Sequence, residues 1–388
     1  MNLTKTFTRL EELLTRVTSG GYYIPEVDGL RFLAIFPVLI QHLSERIHKY
    51  NIHLVDNDQV NTALKYWSTR GFSGVFLFFM ISGFILGMPF ARHYISNGKS
   101  ISLKSFYMRR LTRLEPPYIF FMLLFFIILC IRGGNFQELI SHFAASIFYL
   151  HSLIFSDHSP INPVTWSLEV EIQFYIFAPL FAWLCFSLKK AIVRRLVLGV
   201  SVLVYIFVAH RFGFFQPSGR LSILGNLHYF FLGFILSDLY ITGYFKAKHY
   251  VFDLVGSAAI VLSYYTWSES FVGTLLFSTE LFVLFICVFK GRLLSTFFSF
   301  RFITVVGGMC YTMYLIHLPI AELYGIVTKK LIFVHYYDIN LLIHFVIYFT
   351  IVLLATCFFF VLIEKPCMDK DWPKKALDFI KGKKSIVE

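Results

Sequence analysis

Long apolar stretches recur ten times along the chain, at roughly residues 30–48, 72–90, 116–132, 168–187, 193–211, 226–245, 251–267, 271–289, 303–325 and 341–363. Each is close to the ~20 residues that a helix needs to cross a bilayer. A chain with so many of them has few ways to fold other than as a bundle of membrane-spanning helices. The composition agrees: 57% of the 388 residues are hydrophobic and only 15% are charged, against about 25% charged in a soluble domain. That leaves too little polar surface for a water-soluble body. It also excludes a disordered chain, a coiled coil and a disulfide-rich secreted scaffold.

The charges test the count of spans. With the N-terminus cytoplasmic, the inner connections hold 25 Lys and Arg and the outer ones 9, the asymmetry that the positive-inside rule requires. The formal net charge of +12 therefore reads as membrane topology, with no nucleic-acid partner implied. A shorter apolar piece, His142 to Phe155, is expected to be re-entrant or surface-lying, because an eleventh span would invert the later loops. The expected fold is thus all-α, with about ten transmembrane helices and both termini cytoplasmic. Residues 1–22 place Leu3, Phe7, Leu10, Leu14 and Val17 at helical spacing, with Lys5, Arg9 and Arg16 facing elsewhere. That pattern suits an amphipathic helix on the inner leaflet. The body is expected at 23–366 and a basic cytoplasmic tail at 367–388. The six cysteines have no CxxC spacing and read as small buried hydrophobes, with no metal site expected.

Ionisable groups at membrane depth are costly and tend to be functional. In the first span Arg31 and His42 are eleven residues apart, which returns them to within about 20° of one face and about 16 Å apart along the axis. A long ligand with an anionic head and a buried reactive end would match that spacing; a snorkelling Arg and a packed neutral His would also produce it. Arg110 and Arg113 share a helical face just before the third span. Paired guanidiniums suit phosphate, although a positive-inside flank explains any single one. In the fourth span Ser167, Glu171 and Tyr175 can line one face, while Glu169 reads as an acid at the helix N-terminus. In the ninth, Tyr314 and His317 lie one turn apart. His228, Asp238, Glu280, Glu322 and His344 read as packing or pathway groups, and Glu364-Lys365 as a local ion pair at a helix end. The chain has no GxSxG, Walker, HExxH or GxGxxG motif, so hydrolytic triads, ATP motors and zinc proteases lose support.

In order along the chain stand Asp28-Gly29-Leu30-Arg31 followed by His42, Phe79-Met80-Ile81-Ser82-Gly83-Phe84, the RRxxR segment from Arg109 to Pro116, the WSLxVExQFY segment from Trp166 to Tyr175, Tyr314–Pro319 (YLIHLP) and Glu364-Lys365-Pro366. Together these resemble the acyltransferase-3 family of bacterial membrane O-acyltransferases, the O-antigen and cell-wall acetylase-like proteins. The resemblance implies transfer of an acyl group, usually acetyl, from cytoplasmic acyl-CoA to a hydroxyl of a cell-envelope glycan or lipid-linked sugar. It implies no permanently bound cofactor and a multi-pass location in the bacterial cytoplasmic membrane. The family's essential His and basic residue fall on His42 and Arg31, its RxxR pair on Arg110 and Arg113, and its carboxylate on Glu171. Ile172 stands where many relatives have a second Glu. The segment after Pro366 is 22 residues long, with none of the SGNH hydrolase-like extension of many relatives, so the expectation is action alone or with a separate partner. His42 and Glu171 are the candidate catalytic residues. Arg31, Arg110, Arg113, Tyr175, Tyr314 and His317 are the candidate substrate contacts. A base for the hydroxyl and cationic groups for the donor phosphates are what such a reaction needs. The alternative is a translocase of an anionic or lipid-linked substrate without chemistry of its own.

Overall fold

Each of the ten apolar stretches is helical, the ninth as two consecutive helices. The structure, a computed structural model, describes residues 12–17, 23–50, 63–334, 336–369, 371–373 and 375. Its principal helices are α1 (Pro25–Tyr50), α2 (Ala63–Ser68), α3 (Ser73–Ser96), α4 (Leu103–Ile131), α5 (Phe136–Ile147), α6 (His151–Phe155), α7 (Trp166–Phe186), α8 (Ala191–Arg211), α9 (Pro217–Arg220), α10 (Ile223–Ile241), α11 (Val251–Thr266), α12 (Phe271–Lys290), α13 (Arg292–Phe298), α14 (Arg301–Gly308), α15 (Cys310–Thr328), α16 (Tyr337–Phe359) and α17 (Lys365–Cys367). The described residues contain no strand. Among them nine helices are long and apolar enough to cross a membrane, and α11 is a tenth, shorter apolar helix. This is an all-α polytopic membrane protein. The segment 136–165 forms α5, α6 and a 3₁₀ turn; neither α5 nor α6 is a candidate span, and the turn opens the span Pro163–Phe186.

Polarity is arranged as the bilayer demands. Leu123 and Ile127 of α4, Val200 and Val204 of α8, Leu254 of α11, and Val346 and Phe358 of α16 point outward. Inside are two apolar clusters. One joins α3, α7, α8, α10 and α12; the other joins the opposite face of α1 to α4, α15 and α16. Phe32 and Phe78 border both, so the bundle has a seam between two cores.

Lipid-embedded helices gain association from close packing and from buried hydrogen bonds, because the acyl chains are as apolar as the side chains. The α3–α10 pair relies on two glycines. A Cβ on Gly83 would strike the Phe230 backbone, and one on Gly233 would strike the backbone of Met80 and Phe84. Phe174 of α7 then stacks on Phe230 at 4.0 Å between centroids. Polar ties complete the scaffold. Asp238 of α10, fully buried, binds both Arg194 and Arg195 of α8. Asp253 of α11 accepts from the Arg292 and Leu294 amides at 3.2 and 2.8 Å, capping α13.

Several local features depart from the sequence reading. The ninth span is interrupted at Met309, between α14 and α15. Gly307 there meets the Asp28 carbonyl so closely that no Cβ would fit, and the break lets α14 lie against the start of α1. The tenth span widens into a π turn over Phe360–Glu364. This aims Glu364 at α15, where Thr312 donates its backbone N–H at 3.1 Å and its hydroxyl at 2.6 Å. The expected Glu364–Lys365 pair is not formed. Lys365 donates instead to the carbonyls of Glu12 and Leu13. Arg16 does not face away from the bundle, since its guanidinium reaches inward to Asp28 at 2.7 Å. The remainder of the expected amphipathic segment, 1–11 and 18–22, and most of the tail, 370, 374 and 376–388, lie outside the described residues.

Helix α4 starts well before the expected boundary, with Ser102 accepting from the Ser105 amide. Arg109, Arg110 and Arg113 therefore sit on the span itself. Pro116 lacks the N–H that would bond the Thr112 carbonyl. Trp372 from the C-terminal segment donates its indole N–H to that carbonyl at 2.8 Å. Beside α5, His142 Nδ1 and His151 Nε2 are 2.8 Å apart and Phe155 stacks on both rings. Burial, then the neighbouring His142, holds His151 below the ordinary histidine pKa.

Two predictions follow from packing and titration. Gly83→Leu or Gly233→Leu should destabilise the bundle by at least ~1–3 kcal/mol, the usual cost of overpacking, read as a lower melting temperature in detergent. For His151 the folded pKa is depressed, so the unfolded segment takes up a proton first as pH falls below the ordinary value of 6.5. Protection of α5–α6 amides in hydrogen exchange should decline on acidification through that range, and His151→Phe should remove the decline.

Candidate active site

The seam between the two cores holds a cavity of about 270 Å³. Its wall is drawn from α1 (Arg31), α3 (Phe78, Ser82), α4 (Arg109, Arg110, Arg113), α7 (Ser167, Glu171, Tyr175) and α14–α15 (Gly308, Cys310, Tyr311, Tyr314). Six of the eight residues singled out in the sequence line it: Arg31, Arg110, Arg113, Glu171, Tyr175 and Tyr314. The ninth-span break contributes directly, since Gly308 and Cys310 flank Met309 on the wall.

The cavity has a cationic end. Arg31 donates to Asp28 at 2.8 Å. Asp28 is fully buried and also takes Arg16, so one carboxylate anchors two guanidiniums across the mouth. Arg110 is held differently. It donates to the Phe106 carbonyl at 2.9 Å, and its guanidinium lies 3.8 Å over the Phe106 ring and 5.7 Å from the Tyr175 ring. Arg113 buries its Nε without a hydrogen-bond partner. Among the described residues neither Arg110 nor Arg113 forms an ion pair. Two guanidiniums without an ion-pair partner, beside an anchored third, have the chemistry that suits an anion.

Glu171 is the acidic group of the cavity. Its Oε1 accepts from both the Ser82 and Tyr175 hydroxyls. These three come from α3 and α7, which are held together through the glycine-packed α3–α10 pair and the Phe174–Phe230 stack. Glu169, by contrast, turns away. It is buried and accepts from the Ser152 amide at 2.8 Å, capping α6 and so tying the 136–165 segment to α7. The acid expected at its own helix N-terminus caps a different helix.

Tyr314 connects the cavity to the remaining two candidates. Its hydroxyl pairs with Ser167 Oγ at 2.8 Å and donates to the Val164 carbonyl at 2.7 Å. Its ring lies 5.5 Å from that of His317. His317 in turn lies 5.3 Å from His42. His317 and His42 are not on the cavity wall; they form a column leading from Tyr314 toward the opposite end of the bundle. His317 is fully buried. Its Nδ1 donates to the Tyr314 carbonyl at 2.7 Å, and its Nε2 has no partner. Beyond His42 a polar network gathers Glu45, Arg46, Lys49 and Tyr50 of α1 with Glu322 of α15.

Sequence reasoning did not single out Asp28, Ser82, Glu45 or Tyr311 as site residues. Ser82 and Asp28 stood inside segments already noted, but a serine and an N-terminal helix acid carry no distinguishing pattern. His228 is fully buried among aromatic rings, with Tyr229 at 3.9 Å, far along the chain from these groups. His344 pairs with the Tyr324 hydroxyl at 2.7 Å. Both are packing groups.

The profile of the family described as an acyltransferase domain (Acyl_transf_3) matches residues 24–364. Three Staphylococcus aureus proteins are similar. The strain COL protein named "Putative O-acetyltransferase SACOL0978" is 28% identical over 89% of this chain and 58% of its own length. O-acetyltransferase OatA of strain MRSA252 is 25% identical over 98% of this chain and 62% of its own. OatA of strain NCTC 8325 is 25% identical over 82% and 53%. The chain thus spans little more than half the length of the curated relatives it matches. No solved structure matches it.

The Asp28 anchor gives a test independent of any ligand. Asp28→Asn leaves Arg16 and Arg31 without their counter-charge and should lower stability on the order of 3 kcal/mol, as for a broken buried pair. Thermal unfolding in nanodiscs measures it; an unchanged melting temperature would mean that water satisfies both guanidiniums.

Proposed function

The chain belongs to the Acyl_transf_3 family of acyltransferase domains, and from that membership we propose that it is a membrane O-acyltransferase of the bacterial cytoplasmic membrane. The donor is acyl-CoA, with acetyl the acyl group, and the acceptor is a hydroxyl of a cell-envelope glycan or lipid-linked sugar. The observation that carries the reading is the pair of guanidiniums, Arg110 and Arg113, without an ion-pair partner among the described residues, in a cavity whose wall residue Tyr314 is linked by ring contacts through His317 to His42. The polyanionic head of a nucleotide thioester fits the first, and the hydroxyl chemistry fits the second. The relatives' printed names, O-acetyltransferases, support the same class.

In this reading Arg110 and Arg113 bind donor phosphates, with Arg31 held beside them by Asp28. His42 takes the proton of the acceptor hydroxyl, and the oxygen attacks the thioester carbonyl carbon. The carbon–sulfur bond breaks, and the proton on His42 passes to the departing thiolate. Glu171 keeps Ser82 and Tyr175 in place along the cavity, and Tyr314 fixes its far wall. The charge asymmetry of the loops supports a cytoplasmic position for the cationic mouth, the side on which acyl-CoA is found.

The test uses the purified full chain in lipid with radiolabelled acetyl-CoA and a crude cell-envelope glycan. His42→Ala should lower transfer by about 10²–10⁴-fold, the range for loss of a general base. Arg110→Ala and Arg113→Ala should each weaken acetyl-CoA binding about 10- to 100-fold, as for one charge-assisted contact, with lesser effects on turnover at saturating donor. Full transfer by a folded His42→Ala protein would overturn the chemical assignment. Unchanged donor affinity in both arginine variants would overturn the phosphate assignment. Donor binding without transfer to any acceptor would favour a translocase.

A further inference from the structure

The hydrogen bonds around His42 form a chain whose every donor and acceptor is fixed by chemistry. It begins at the start of α3, where the Phe72 amide donates to Gln41 Oε1 at 2.6 Å. A backbone N–H can only donate, so the oxygen of the Gln41 amide must face it. Gly71 makes this approach possible: its Cα sits against the Pro37 carbonyl and the Gln41 Cβ with no room for a side chain. The amide nitrogen of Gln41 is then turned to Glu45 and donates to its Oε1 at 2.7 Å. Glu45 Oε2 lies 2.8 Å from His42 Nδ1, with Arg46 Nη1 at 3.6 Å. An ionised carboxylate accepts only, so His42 Nδ1 carries the proton.

We propose that Gln41 and Glu45 are positioning residues for His42, holding its imidazole in the Nδ1–H tautomer so that Nε2 presents the lone pair that receives the acceptor proton. This rests on the assignment of His42 as the base. Gln41, His42 and Glu45 are at i, i+1 and i+4 of α1, so the relay is built on one rigid helix and is braced by a second through Phe72. The opposite tautomer would put a lone pair of Nδ1 against a carboxylate and a bound proton on the atom that must accept one. A carboxylate that orients a histidine in this way also stabilises the imidazolium formed during proton transfer. Nothing in the relay touches the arginine end of the cavity, so its removal acts on turnover and leaves donor binding alone.

The experiment compares wild type, Glu45→Gln, Glu45→Asp and Gln41→Leu as full chains in lipid, with His42 as the negative reference. Nitrogen-15 spectra of histidine-labelled protein identify the His42 signals by their loss in His42→Gln. Wild type should show a protonated Nδ1 and an unprotonated Nε2. In Glu45→Gln the side-chain amide can donate as well as accept, so a second, Nε2–H form should appear. Turnover with acetyl-CoA and cell-envelope glycan should fall about 10- to 100-fold in Glu45→Gln, the range for loss of an outer partner of a working histidine, with KM for acetyl-CoA unchanged. Glu45→Asp should recover part of the loss. Gln41→Leu should lower turnover less and leave the tautomer mixed. A Glu45→Gln protein with wild-type turnover and an unaltered His42 spectrum would overturn the proposal. So would a loss explained by unfolding in both Glu45→Gln and Gln41→Leu while Glu45→Asp regains stability without regaining the spectrum. If His42→Gln itself retains transfer, the functional reading fails instead, and the spectra still decide whether the relay sets the tautomer.

Discussion

A charge inside an apolar bundle must be answered by another charge or by several hydrogen bonds, because its desolvation is otherwise prohibitive. Asp28 answers Arg16 and Arg31, Asp238 answers Arg194 and Arg195, Glu322 answers Arg46 and Lys49, and Thr312 answers Glu364. Apart from Asp28–Arg31, which lies within α1, each of these ties joins separate elements, so the same contacts that neutralise charge also fix helix positions. Against that rule Arg110 and Arg113 stand out. They line a cavity, and no described carboxylate pairs with them. The proposed anion site is thus the place where these charges lack an ion-pair partner among the described residues.

The cavity exists because backbones approach closely on either side of it. Gly83 lets α3 press on α10, and Ser82, one residue earlier, consequently faces the other way and meets Glu171. Gly307 lets α14 press on α1, and the interruption that follows brings Gly308 and Cys310 to the cavity wall. In both cases a glycine packed on one face stands beside a residue that reaches the cavity wall on another. A larger side chain at either position would shift the groups on the cavity wall before it touched any substrate.

The spans and their order were legible in the sequence because hydropathy is a local signal summed over about twenty residues. The cavity residues Arg31, Arg110, Arg113, Glu171, Tyr175 and Tyr314 were legible as costly polar groups at membrane depth, and the ordered segments placed them together. The ties between them were not. Asp28 reads as an ordinary first-turn acid; that it holds Arg16 depends on how a preceding segment folds back. Glu169 reads as a cap for its own helix, yet the 3₁₀ turn before α7 leaves it nearer α6. Glu364 and Lys365 are neighbours whose expected pairing is defeated by a π turn that local propensity does not encode. Glu45 is one of several charged residues at the end of α1, and only the position of Phe72 on another helix gives Gln41, and hence Glu45, a direction.

The polarity of the site matches the polarity of the substrate proposed for it. A nucleotide thioester carries its phosphates at one end and its reactive carbon at the other. Along α1 the protein carries Arg31 at one end and His42 about 16 Å further on, with the unpaired arginines of α4 beside the first and the His317 ring 5.3 Å from the second. Tyr314 stands between, its hydroxyl held by Ser167 and the Val164 carbonyl, so the wall separating the two ends is fixed in place. Tyr314 and His317 are one turn apart on α15, so this helix carries the line of rings from the cavity wall to His42. In the proposed reaction the donor enters from one end and the acceptor from the other, meeting at the imidazoles. On that proposal His42 stands outside the cavity that holds the arginines because it faces the acceptor, on the side where a half-exposed polar network, not another apolar layer, surrounds it.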